Sequence, residues 1–204
     1  MEAMTGVGPL DQYEITVVPG EYDGHPPIAV FRLDYVPRRL SADRLALAVF
    51  LLFRPWISGE LAVSEPMAPQ LAEAIRDYSG FATVLVRPVE FQAMPIITGR
   101  RSTRALVVDL EEQQEPGDGP DDSSILLTLL RADQAAGSLR TAQSATLVSN
   151  GFMLGDGPER EAEIAAAICC LVAEDLDLGE LYLPRTARDA ELARLVRNVG
   201  IVLN

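Results

Sequence analysis

The chain contains no lysine: all 17 of its basic residues are arginine. That absence excludes a Schiff-base lysine, a P-loop lysine and a Ser-x-x-Lys nucleophile. Pyridoxal enzymes, Walker-type NTPases and penicillin-recognising enzymes are excluded with them. Histidine is almost as scarce. His25 stands alone, so a metal site needing two imidazoles cannot be built from one chain. Any Ser-His-Asp triad would have to use it, yet it lies in Asp23-Gly24-His25-Pro26-Pro27, a loop by composition. The two cysteines, Cys169 and Cys170, are adjacent. Zinc needs spaced ligands and a disulfide between neighbours is strained, so both read as small apolar packing residues on a helix.

Long apolar runs are missing as well. The longest, Leu45 to Phe53, falls far short of the roughly 18–20 residues that cross a bilayer. The start, Met1-Glu2-Ala3-Met4-Thr5-Gly6, has neither a basic region nor an apolar stretch of secretory type, which makes the cytoplasm the expected location. Positive charge is in deficit: 30 acidic residues against 17 basic give a net −13. Binding polyphosphate or anionic lipid needs several cations in one place, so neither nucleic acid nor a membrane is an expected partner. A protein partner or self-association fits that balance, and a small anionic ligand remains open.

What is present suits an ordinary globule. With 204 residues, 48% of them apolar, the expectation is a single domain over 1–204. Two lobes, 12–110 and 124–204, are possible around the acidic stretch 111–123. From Asp109 to Asp122 there are seven acidic residues and no basic one, which predicts a flexible loop. Asp118, Asp121 and Asp122 lack the ligand spacing of an EF-hand, so no metal is expected there.

The last third organises the fold. Ala145 to Val148 reads as a strand ending in the turn Ser149-Asn150-Gly151. A helix follows from Pro158 to about Asp175, opened by a capping box of Asp156 and Glu159 and closed before Gly179. Its stripe of Ile164, Ala167, Ile168, Leu171 and Val172 faces the sheet. Leu181 to Leu183 is the next strand, Thr186 to Asn198 a helix stopped by Gly200, and Ile201 to Leu203 a closing strand. Strands alternating with helices in this way predict a parallel β-α-β-α-β unit whose three strands lie side by side.

The N-terminal part reads differently. Residues 1–11 look frayed. Tyr13–Val18 and Ile28–Val36 alternate as half-buried strands and predict an antiparallel pair. Ser41 is a candidate cap for a helix over Ala42–Phe53; a buried strand competes for Leu45–Phe53, and the Ala and Leu content favours the helix. Glu60–Val63 is a short strand, and Pro66 opens an amphipathic helix ending at Gly80. Ala82–Val86, Arg104–Leu110 and Ile125–Leu130 complete the strands, with Pro88 confining the first of these to an edge or a bend. The fold class is therefore α/β or α+β, with a mixed sheet.

Two stretches could carry chemistry. The first runs from Ser149-Asn150-Gly151 to Gly155-Asp156-Gly157, where ligands of open α/β sheets sit beside helix amides. A tight turn and a capped helix explain the same residues, and Asp156 would repel an anion. The second is Arg100-Arg101-Ser102-Thr103-Arg104, whose guanidiniums could grip phosphate or carboxylate. A solvated loop, or a counter-charge to the acidic stretch, explains it equally.

In element order the C-terminal unit resembles Rossmann-like and adenine-nucleotide α-hydrolase folds. Ser149-Asn150-Gly151 departs from the Ser-Gly-Gly that opens the second family's pyrophosphate loop, so no residue roles and no cofactor carry over. The functional expectation is a non-catalytic binding or assembly subunit acting through protein–protein association. The alternative is a small enzyme or nucleotide-like ligand binder using carboxylates and arginine at the strand ends.

Overall fold

The computed structural model describes residues 1–80, 85–91, 96–107, 124–183 and 190–204. In chain order its strands and helices are β1 (Glu2–Val7), β2 (Tyr13–Val18), β3 (Val30–Leu33), α1 (Ala42–Phe53), β4 (Glu60–Met67), α2 (Pro69–Ser79) and β5 (Leu85–Val89). There follow β6 (Arg101–Val107), β7 (Ser124–Arg131), β8 (Leu139–Arg140), β9 (Ser144–Ser149), α3 (Pro158–Leu176), β10 (Leu178–Tyr182), α4 (Ala190–Arg197) and β11 (Val202–Leu203).

The strands form one mixed sheet in the order β11-β10-β6-β7-β9-β3-β2-β1-β4-β5, with β8 pairing β9 off this path. β1, β2 and β3 are antiparallel neighbours, and β3 meets β9 antiparallel. β11, β10, β6, β7 and β9 all run the same way. The C-terminal strands are thus parallel as expected, but they are not contiguous. β6 and β7 lie between β9 and β10, because β7 supplies the apolar partners Leu127 and Leu129 at the level of Ala145 and Leu147. β6, from before the acidic stretch, is clamped between β7 and β10, from after it. The stretch 111–123 itself, the start of the strand expected from Ala82 and the start of the helix expected from Thr186 lie outside the described residues.

Alternation sets which face of the sheet is covered. Ile15 and Val17 on β2, Phe31 and Leu33 on β3, Leu61 on β4, Leu127 and Leu129 on β7 and Leu181 on β10 are buried together with the helices in one core. The other side of these strands is half-buried or exposed, so among the described residues the helices cover a single face. The antiparallel part, β1 to β3, is of the kind that tolerates water on one side. α1 explains the aperiodic apolar run. It packs between α3, β4 and α2, and every residue of it except Asp43 is buried, so no side of the helix needs to be polar.

Several local expectations change. Residues 2–7 are a strand rather than a frayed start, because β1 fills the gap between β2 and β4 and buries Ala3. β4 runs on to Met67, which pairs with Val89, so Pro66 is extended and α2 opens at Pro69. Gly157, not Asp156, occupies the cap position of α3, with no side-chain cap bond. Gly179 lies inside β10. A Cβ there would sit 2.1 Å from the Gly99 carbonyl oxygen, so the close approach of two backbones, not a helix end, requires glycine. Pro88 lies on β5 at one end of the strand order, where its missing N–H costs no ladder bond.

Candidate functional site

The turn after β9 is built to hold β3. The Ser149 hydroxyl donates to the Arg32 carbonyl at 2.9 Å and accepts from the Gly151 amide at 3.0 Å. The Asn150 carboxamide accepts from the Arg32 amide at 2.6 Å and donates to the Val30 carbonyl at 2.9 Å. Its side chain therefore does what one more ladder residue would do, and extends a β3–β9 pairing whose register otherwise rests on Leu33 and Ser149. Gly151 is fixed by space, since a Cβ would lie 2.9 Å from the Phe31 ring.

Beyond this turn lies a hollow of about 340 Å³, lined by Arg131, Asp133, Ser149, Phe152, Met153 and Asp156 among others. Arg131 lies over the Phe152 ring at 5.3 Å and pairs with Glu161 at 2.7 Å. Asp156 is exposed, and Glu159 and Glu161 occupy the first turn of α3. Carboxylates at that helix end compete with any anion for its amides.

The arginine stretch lies at the opposite end of the parallel strands. Arg101 stands opposite Leu178, and Arg104 is level with Tyr182, Leu126 and, one strand further, Ser144. Ser149 is five residues beyond Ser144 along β9, a span of roughly 16 Å at the usual strand rise. The Arg100 and Arg101 amides bond the Asp177 carbonyl, the Arg101 guanidinium reaches the Ala142 carbonyl at 3.4 Å, and Arg104 is exposed. Arg100, Arg101 and Arg104 do not share a cavity with Ser149, Asn150, Gly151 and Asp156.

Charge is buried elsewhere, in networks that tie helices together. Glu163 on α3, only 4% exposed, receives Arg54 and Arg160 at 2.8 Å each and the Tyr78 hydroxyl at 3.0 Å. Arg160 also donates to the Leu51 and Leu52 carbonyls at the end of α1. Burial lowers its pKa, and the neighbouring Glu163 carboxylate works the other way. Asp175 accepts from the Tyr35 hydroxyl and the Arg38 amide. Arg44 is 1% exposed and donates to the Val199 and Ile97 carbonyls, with burial lowering its pKa too. These side chains are partnered with one another or with backbone, an arrangement that fixes structure rather than frees a group to react.

His25 is exposed in the loop between β2 and β3 and makes no hydrogen bond among the described residues. Cys169 and Cys170 are fully buried free thiols, and burial raises both pKa values, that of Cys170 to about 12. Among the described residues no group of three or more His, Cys, Asp or Glu side chains could hold a metal. No helix of the described residues is long and apolar enough to cross a membrane.

One surface escapes a reading of motifs. At the β2-β1-β4-β5 end of the helix-free face, Val18 stands beside Glu2, Glu2 beside Ala62, and Ala62 beside Arg87. Met4 sits one pleat further along β1, and Leu85 is opposite Glu60 on β4. Val18 is 48% exposed, Leu85 68% and Tyr22, in the loop after β2, 78%. Together with Ala62 and Pro88 they line an open groove of about 710 Å³ whose lining also includes Glu2 and Glu21. Its only sequence signal is that Val18 falls on the polar side of the β2 alternation, beside Glu14 and Thr16. No family, no curated protein and no solved structure matches this chain.

Proposed function

We infer that this chain is a non-catalytic binding or assembly subunit of the cytoplasm that works by protein–protein association. The observation that supports this reading is the helix-free end of the sheet, where Met4, Val18 and Leu85 stand in water on strands whose other side contributes Ala3, Ile15 and Val17 to the core. Exposed aliphatic groups clustered on a rigid sheet are the ordinary substance of an interface. The competing reading, a small enzyme or nucleotide-like ligand binder at the strand ends, loses support on two counts. Asn150 and Ser149 are engaged in holding β3, and the arginines that would have met them are five residues down the strands.

Thermal shifts with nucleotides, divalent cations and polyanions separate the two, read beside the native mass. Association predicts no ligand-induced shift. A rise of several degrees with one small ligand, carried by a monomer, would reverse the choice, because only selective binding to the native state produces it.

A further inference from the structure

We propose that the groove between β2, β1, β4 and β5 receives an apolar side chain flanked by lysine or arginine from another protein, not from a second copy of this chain. The inference rests on the association reading and names its partner. Val18, Ala62, Leu85 and Tyr22 supply the apolar part of the groove's lining, and Glu2 stands between Val18 and Ala62. The charges around the groove are mostly negative. Glu2 and Glu21 are exposed and make no ion pair among the described residues, whereas Arg87, the one cationic side chain among the described lining residues, is already paired with Glu60.

Exposed apolar side chains interleaved with unpaired carboxylates select a partner of matching pattern. An aliphatic or aromatic group packs on Val18, Ala62 and Leu85, and cationic groups meet Glu2 and Glu21. A symmetric pairing of two copies through this groove would bring Glu2 and Glu21 against their own equivalents, on chains that each carry −13. Like charges brought together without counter-charge oppose association, so the same residues that favour a cationic partner disfavour a twin. An anionic lipid surface is disfavoured on the same ground.

The test uses the full chain and a short fluorescein-labelled peptide of alternating valine and arginine, with a valine–glutamate peptide as its opposite. Anisotropy should report saturable binding of the arginine peptide, weakened by salt, and none of the glutamate peptide. The double variant Glu2→Arg/Glu21→Arg should weaken it by about tenfold or more, and Leu85→Ser should weaken it several-fold without altering its salt dependence. All these positions are exposed, so unchanged melting temperatures will show that the variants fold. Equal binding by wild type and the double variant would mean that the net charge alone attracts the peptide, and would overturn the proposal. A native mass of two chains that Leu85→Ser returns to one would overturn it as well, while leaving the association reading intact. Absence of arginine-peptide binding overturns it outright, and only a small-ligand thermal shift on the monomer would remove the association reading too.

Discussion

Arg160 and Glu163, three residues apart on α3, face each other at 2.8 Å with almost no access to water. The pair is the centre of a joint between three helices. Arg160 caps the carbonyl end of α1 and lies over the Trp56 ring at 5.7 Å; Glu163 also collects Arg54 and, from α2, Tyr78. α1 has no basic residue in its last turn, so the guanidinium that answers its dipole comes from another element.

Glu163→Gln should therefore destabilise the fold by about 3–5 kcal/mol, because it leaves two guanidiniums without their shared carboxylate. Chemical denaturation of the variant measures the loss. A change under about 1 kcal/mol would mean that the cluster is hydrated and contributes like a surface pair.

Asn150→Ala should cost about 0.5–1.5 kcal/mol, the net contribution of a typical hydrogen bond, because the backbone groups it would leave unpaired are exposed or only partly buried. Here those groups are the Arg32 amide and the Val30 carbonyl. Asn150→Asp should be no better, since it keeps the acceptor for Arg32 and sets a second oxygen against the Val30 carbonyl. Hydrogen exchange at the Arg32 amide reports the effect locally. Protection at that amide that survives in Asn150→Ala would show that the side chain is not its partner.

The course of β2 and the stripe of α3 could be read from periodicity, because each sequence marks a side that is buried; α1, buried all round, has no period and is legible only in its Ala and Leu content. Neighbours could not be read. Alternation says which side of a strand meets the core but not which strand lies beside it, so nothing in Ala145–Val148 indicated that β7 and β6 would separate it from β10. Asn150 illustrates the same limit at one residue. Asn before Gly is an ordinary turn signal, and only the arrival of β3 turns its carboxamide into a ladder partner. Residues 2–7 stayed hidden because Thr5, Gly6 and Val7 are all exposed, leaving Ala3 as the one buried position of the strand.

Thr103→Val should stabilise the protein. Thr103 on β6 is completely buried, and its hydroxyl has no hydrogen-bond partner among the described residues. Valine keeps the shape and the strand preference while removing an unsatisfied polar atom. A gain of about 1 kcal/mol is expected, or about 2–4 °C in Tm for a chain of this size. A drop in Tm would show that the hydroxyl has a partner after all, a bound water being the simplest.

Cys169 and Cys170 should be invisible to thiol reagents in the native protein. Both are fully buried in the middle of α3, and burial holds them protonated well above the ordinary thiol range. Since the thiolate is the nucleophile, a disulfide reagent at neutral pH should react only through opening of the helix, and with two thiols per chain once denaturant is added. Alkaline stability follows with a definite sign. Below the ordinary thiol value near 9 both native and unfolded chains keep their protons, and these groups make no difference. Above it the unfolded chain ionises first while Cys170 holds its proton up to about 12, so the native state binds more protons and stability falls across that window. Replacing both cysteines with alanine should flatten this alkaline slope while lowering stability at neutral pH, because the packed sulfurs are lost. Rapid labelling of the folded protein, or an alkaline slope unchanged by the substitution, would place the thiols in contact with solvent.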